Sequence, residues 1–118
     1  CEPETAAPLA ASFAAGSAQH VTRGHSFVEG AGLSEVYPEI WELVRQLLSG
    51  SIVVPLRDVA SAIRLLFEQH RIVAEGAGGL PVAAALSRKG GTGRTVCIVS
   101  GGNIDPAKLQ KILNGDLP

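Results

Sequence analysis

Apolar and polar positions along this chain alternate between stretches with a helical period and short, nearly continuous apolar runs. Glu4 to Ala15 is alanine-rich with good helix propensity and stops at Gly16, a natural left-handed helix end. Residues 17–34 carry Gly, Ser, His and Thr without a clear period, which predicts a loop with one short strand at most. Pro38 fits a first helical turn, and Ile40, Trp41, Val44, Leu47 and Leu48 follow at helical spacing as far as Gly50. Ser51 to Pro55 reads as a short β-branched strand. Asp58 then opens a helix whose apolar stripe is Val59, Ile63, Leu66 and Phe67. Ile72-Val73-Ala74 predicts a very short strand that ends in Glu75-Gly76-Ala77-Gly78-Gly79. Leu80 to Ser87 reads as a small-residue helix, with Pro81 tolerated in its first turn. Beyond the loop Lys89 to Gly93, Thr95-Val96-Cys97-Ile98-Val99 has the continuous apolar character of a fully buried parallel strand. Asp105-Pro106 caps a final helix from Ala107 to Leu113. Strands alternating with helices in this way predict an α/β fold, a parallel sheet with helices on both faces.

Length and composition narrow the function classes. At 118 residues the chain has at most one domain's worth of core. Hydrophobic residues make up 46% but aromatics only 4%, so Ala, Val, Leu and Ile must pack helices closely onto the sheet. The net charge is −1 and the ten Lys and Arg are scattered, which argues against a nucleic-acid or membrane surface. No apolar run reaches transmembrane length and no signal peptide opens the chain, so a cytoplasmic location is expected. Cys1 and Cys97 make no metal spacing and no disulfide framework. The sequence holds no methionine and begins at Cys1, which we read as a segment of a longer protein.

Candidate chemistry collects at Ser100-Gly101-Gly102-Asn103, immediately after the 95–99 run. Open α/β sheets bind ligands just past the carboxyl ends of their strands. The glycines let backbone approach a flat or charged ligand without a Cβ in between, and Ser100 adds one neutral hydrogen-bonding group. Ser100 also reads as a plain strand-end cap above a glycine turn. Glu75 has two readings as well: a first-turn acid on a helix dipole, or a carboxylate in the same pocket as Ser100. Arg88-Lys89-Gly90-Gly91-Thr92-Gly93-Arg94 superficially looks like a phosphate loop, but its glycines precede a strand instead of following one.

Ser100-Gly101-Gly102-Asn103 resembles the serine-glycine-glycine-asparagine motif of the fold-type II pyridoxal-phosphate enzymes, in particular the threonine dehydratase and serine racemase group. Arg71 to Gly79 followed by Val82-Ala83-Ala84 resembles a stretch those dehydratases carry one βα unit earlier. The resemblance implies the C-terminal part of a tryptophan synthase β-like enzyme, with residues 1–118 a segment of its large cofactor-binding domain. It implies pyridoxal 5'-phosphate as cofactor, with Ser100 on the pyridine nitrogen and Gly101 and Glu75 beside it. A neutral hydroxyl at that nitrogen, in place of a carboxylate, suits a lyase because it leaves the ring a weaker electron sink. The implied reaction is β-elimination of threonine or serine to a 2-keto acid and ammonia. A serine racemase-like activity and a non-catalytic α/β ligand-binding module are the alternatives.

Further implications concern metal, partners and missing parts. Cys1-Glu2-Pro3-Glu4-Thr5-Ala6 is similar to a family segment that binds a cation, which implies Glu2 and the Ala6 carbonyl as ligands to a divalent or monovalent cation. The third family position falls on Pro8, which has no ligating side chain. Ser26 to Gly30 resembles a segment that usually has aspartate where this chain has Glu29, and Pro38 to Gly50 with Trp41 matches the helix after it. Lys89, Lys108 and Lys111 all read as solvated, whereas a Schiff-base lysine must be desolvated or placed beside cations. The resemblance implies that this lysine and the phosphate loop lie upstream, in the N-terminal part of the same enzyme, and that this segment alone is inactive. A small hydroxy amino-acid substrate and a homodimer or homotetramer are likewise implied. His20, His25 and His70 read as surface residues.

Overall fold

The computed structural model describes all 118 residues. Strand β1 (Glu2–Pro3) pairs in parallel with β2 (Val53–Val54), Glu2 opposite Val53 and Pro3 opposite Val54. The ladder is carried by Glu2 N–H to the Ile52 carbonyl and Glu4 N–H to the Val54 carbonyl, each 2.9 Å. Pro3 falls between those two donors, so its missing N–H breaks no rung. Helices α1 (Pro8–Ala15) and α2 (Pro38–Leu47) lie in the crossover between the strands. Helices α3 (Leu56–His70), α4 (Gly76–Leu86) and α5 (Pro106–Asn114) follow β2.

Prolines start α1, α2 and α5 at their first helical position, and Gly16 and Gly115 end α1 and α5 in the left-handed conformation. Asp105 caps α5, its carboxylate accepting the Ala107 N–H at 2.7 Å. Arg71 closes α3 with a left-handed φ of 60°. The core sits between α3 and α4: Val59, Ala62, Ile63, Leu66, Leu80, Ala83 and Ala84 are buried, joined by Phe27, Val28, Val54 and Ile112. Phe13 of α1 and Trp41 of α2 meet edge to face at 5.2 Å between ring centroids. No helix is long and apolar enough to cross a membrane.

Several predicted elements are corrected. The first helix begins at Pro8, not Glu4, because Glu2 to Glu4 are drawn into the ladder. Helix α4 begins at Gly76, four residues before the predicted start at Leu80, which puts Pro81 in its second turn. Pro81 cannot donate to the Ala77 carbonyl four residues back. Neither 72–74 nor 95–99 is a hydrogen-bonded strand. Residues 94–100 make no backbone–backbone hydrogen bond, and Val96 and Ile98 are 89% and 73% exposed. The run is apolar as expected, but no segment of these 118 residues lies along it to form a ladder. On α2 only Trp41 is buried; Ile40, Leu43 and Leu47 face outward. The loop 17–34 is closed by one isolated antiparallel bridge, from His20 within it to Glu35 just beyond it.

One packing contact is sharp enough to predict from. A Cβ on Gly79 would lie 2.8 Å from Ile63 Cγ1 and 3.3 Å from Val59 Cγ1, both fully buried on α3. Alanine in a helix gains up to about 1 kcal/mol over glycine, while overpacking a core costs roughly 1–3 kcal/mol. Gly79→Ala is expected to lose about 1 kcal/mol net, read as a lower urea midpoint at unchanged slope. Gly93→Ala, where a Cβ meets nothing within 4 Å, is the neutral control.

Candidate functional site

The candidate site is assembled around the first turn of α4. Glu75 precedes that helix, and its carbonyl accepts the Gly79 N–H at 3.0 Å, the first helical bond. Its own N–H donates to the Gly101 carbonyl at 2.9 Å, the one backbone bond that ties the 72–75 segment to the serine-glycine-glycine turn. The contacts around it leave no room for side chains. A Cβ on Gly101 would overlap Glu75 Oε1; one on Gly102 would lie 2.6 Å from the Val73 carbonyl oxygen. A Cβ on Gly78 would lie 2.9 Å from the Gly101 carbonyl oxygen, and one on Gly76 would lie 2.7 Å from Val28 Cα. Two neighbouring backbones, at Val28 and Gly101, are thus drawn against one glycine-rich helical turn, and Gly102 is drawn against a third, at Val73.

Gly30 completes this wall. A Cβ there would come 3.6 Å from Glu75 Oε1 and 3.2 Å from the Ala77 Cβ. Ser26 to Gly30, Glu75 and Gly101 are therefore neighbours, although they lie far apart in sequence. Phe27 and Val28 anchor the loop by burial, and Ser26 Oγ accepts the Val28 N–H at 3.0 Å. Glu29, the acid that stands where the resembling segments have aspartate, forms an ion pair with Lys108 of α5.

Ser100 is exposed at the start of the turn, and its hydroxyl makes no hydrogen bond inside the chain. Asn103 is exposed beside it. The turn therefore presents one neutral hydroxyl above bare backbone. This donor set fits the ring nitrogen of pyridoxal phosphate, a flat group that needs one hydrogen bond and close approach. Lys89 and Lys111 are exposed, as predicted. Lys108 differs: it is half-buried and paired with Glu29.

Glu2 does a job that spacing did not reveal. Its Oε1 accepts the Leu9 N–H and its Oε2 the Ala10 N–H, both at 2.8 Å, and Oε2 also accepts the Ser51 hydroxyl at 2.7 Å. It caps α1, which begins after Ala7 with no side-chain cap of its own. Glu4 does the same for α3, accepting the Leu56 N–H at 2.8 Å, because Pro55 at that cap has no side chain to offer. The missing caps at positions 7 and 55 were the available signal. Ala6 is buried, with its N–H donated to the Pro3 carbonyl. No three His, Cys, Asp or Glu side chains converge anywhere in the chain, so its own side chains supply no cation cage beside Glu2 and Ala6. Glu2→Ala is expected to cost about 1–2 kcal/mol, since two helix N–H groups and a hydroxyl lose their acceptor. A thermal melt measures this; an unchanged midpoint would contradict the capping role.

Comparison with known proteins identifies the family. A family model described as pyridoxal-phosphate dependent enzyme matches residues 1–101. L-threonine ammonia-lyase of Thermotoga maritima is 34% identical over 117 residues, 98% of this chain but 29% of that protein. The catabolic L-threonine dehydratase of Escherichia coli K12 is 34% identical over 109 residues, 88% of this chain and 33% of that protein. Among solved structures, a threonine deaminase from T.th. superposes with a TM-score of 0.80 at 28% identity, covering 88% of this chain and 39% of that one. Maize serine racemase also gives 0.80 at 28%, covering 96% and 37%. The chain thus spans 29% and 33% of the length of these two curated relatives. With a family model matching residues 1–101 and relatives 34% identical over most of its length, the chain belongs to the pyridoxal-phosphate dependent enzyme family.

Proposed function

We propose that this chain is the C-terminal segment of the cofactor-binding domain of a threonine or serine dehydratase, converting a hydroxy amino acid to a 2-keto acid and ammonia. The observation that carries the reading is the Ser100 turn, held against Glu75 and otherwise free of side chains. Bound pyridoxal phosphate supplies an electron sink for the bonds at the substrate's α-carbon. Ser100 would donate one neutral hydrogen bond to the ring nitrogen and add no charge there. Gly101 and Gly102 bring the backbone close, and the Glu75 carboxylate stands at the edge of the same surface. The attachment lysine and phosphate loop come from the N-terminal part of the enzyme. The curated relatives support the lyase reading, and the serine racemase neighbour supports a second reading on the same fold. A cation at Glu2 and Ala6 would need oxygens from water or from outside the chain. Cytoplasmic location and a homo-oligomeric state complete the reading.

Two substitutions in the complete enzyme test it. Ser100→Ala is expected to weaken cofactor binding by about 1–3 kcal/mol, because the nitrogen loses its only partner from this chain. Ser100→Asp is expected to act differently, by favouring a protonated nitrogen and moving product from the keto acid of elimination toward racemised amino acid. Chiral product analysis on threonine and serine decides the matter. An unchanged product ratio in Ser100→Asp removes Ser100 from the ring.

A further inference from the structure

We propose that Glu29 and Lys108 form an electrostatic strap across the cofactor wall, which makes both of them positioning residues for the Ser100 turn. The proposal rests on the functional reading above. Glu29 lies between Val28, 1% exposed against α4, and Gly30, which faces the Glu75 carboxylate. Burial and the Ser26 hydroxyl fix the loop as far as Val28. Beyond it, the Gly30 end of the loop is tied across the site by the Glu29 side chain, which reaches Lys108, 79 residues further along.

Lys108 is in turn tied to the opposite side of the wall. It sits in the first turn of α5, directly after the Asp105 cap, and the Ile104 N–H reaches back to the Gly102 carbonyl at 2.9 Å. The contacts close a ring: Gly101 to Glu75 through a backbone bond, Glu75 to Gly30 by packing, Gly30 to Glu29 by covalency, Glu29 to Lys108 by charge, and Lys108 back to Gly102 through the start of α5. The placement of Lys108 is itself informative. A cation in the first turn of a helix opposes the helix dipole. The Asp105 cap offsets part of that charge from within the chain's own turn, and Glu29 adds a second acid from another part of the chain. The pair is partly exposed, the two side chains 33% and 67% accessible, so its effect is modest and salt-sensitive.

The test uses the complete protein that carries this chain, stripped of cofactor and titrated with pyridoxal phosphate by fluorescence, alongside amide exchange of residues 26–31. At low salt, Glu29→Gln and Lys108→Gln should each weaken binding about two- to five-fold and speed exchange in 26–31. At about 1 M salt, where charges are screened beyond about 3 Å, the wild type should converge on the variants. The swap Glu29→Lys with Lys108→Glu should recover most of the loss, which a merely structural role for either residue would not give. Single variants that bind like the wild type, or a swap no better than the sum of the single changes, overturn the strap. A wild type that binds no pyridoxal phosphate overturns the functional reading instead, and the exchange measurements still decide the strap.

Discussion

Three glycines in one helical turn govern the arrangement of the rest of the chain. Gly76 meets the backbone of Val28, Gly78 meets the carbonyl of Gly101 and Gly79 meets Ile63 on α3. Each faces a different neighbour, and at each a methyl group would collide. The turn loses helix propensity in consequence, by roughly 1 kcal/mol per glycine relative to alanine. Close packing is the offsetting gain: α3, the 26–30 loop and the serine-glycine-glycine turn all reach a single point. Glu75 sits immediately before that turn, so its N–H and its carboxylate both meet Gly101. The site is a consequence of backbone approach more than of side-chain chemistry.

The parallel pair has a supporting role. Its first strand is two residues long, yet the acids in and beside it cap two different helices, Glu2 on α1 and Glu4 on α3. The ladder, the caps and the Ser51 hydroxyl therefore fix where α1 and α3 begin. The opposite end of the fold is unfinished. Residues 94–100, apolar from Val96 to Val99, make no backbone–backbone hydrogen bond, and such an edge can template further strands.

Helix starts and ends were legible where local chemistry decides them. Pro38, Pro106, Gly16 and Gly115 act through their own backbones, and α2 and α5 lie close to where the pattern puts them. The start of α4 was not legible, because Gly76, Gly78 and Gly79 read as a turn and became helical only through contacts from three other segments. Strands 72–74 and 95–99 failed for the complementary reason: an apolar run shows that a segment suits burial, but ladder hydrogen bonds need a neighbour. Of the site, Ser100, Gly101 and Glu75 were named by the resemblance of their two motifs to the dehydratases, and the structure brings the two motifs together. The cation role of Glu2 rests on the resemblance of residues 1–6; its capping of α1 was not legible, because a carboxylate carries no local mark of the N–H groups seven and eight residues on that it accepts. Glu29 reaching Lys108 is a contact of the same long-range kind.

The central claim is that the cofactor wall offers the ring nitrogen a neutral hydroxyl and no charge. Nitrogen-15 NMR of ring-labelled pyridoxal phosphate bound to the complete protein tests it most directly. The account predicts the chemical shift of an unprotonated, hydrogen-bonded pyridine nitrogen that moves when Ser100 is replaced by alanine. A pyridinium shift, or one indifferent to Ser100, would contradict it.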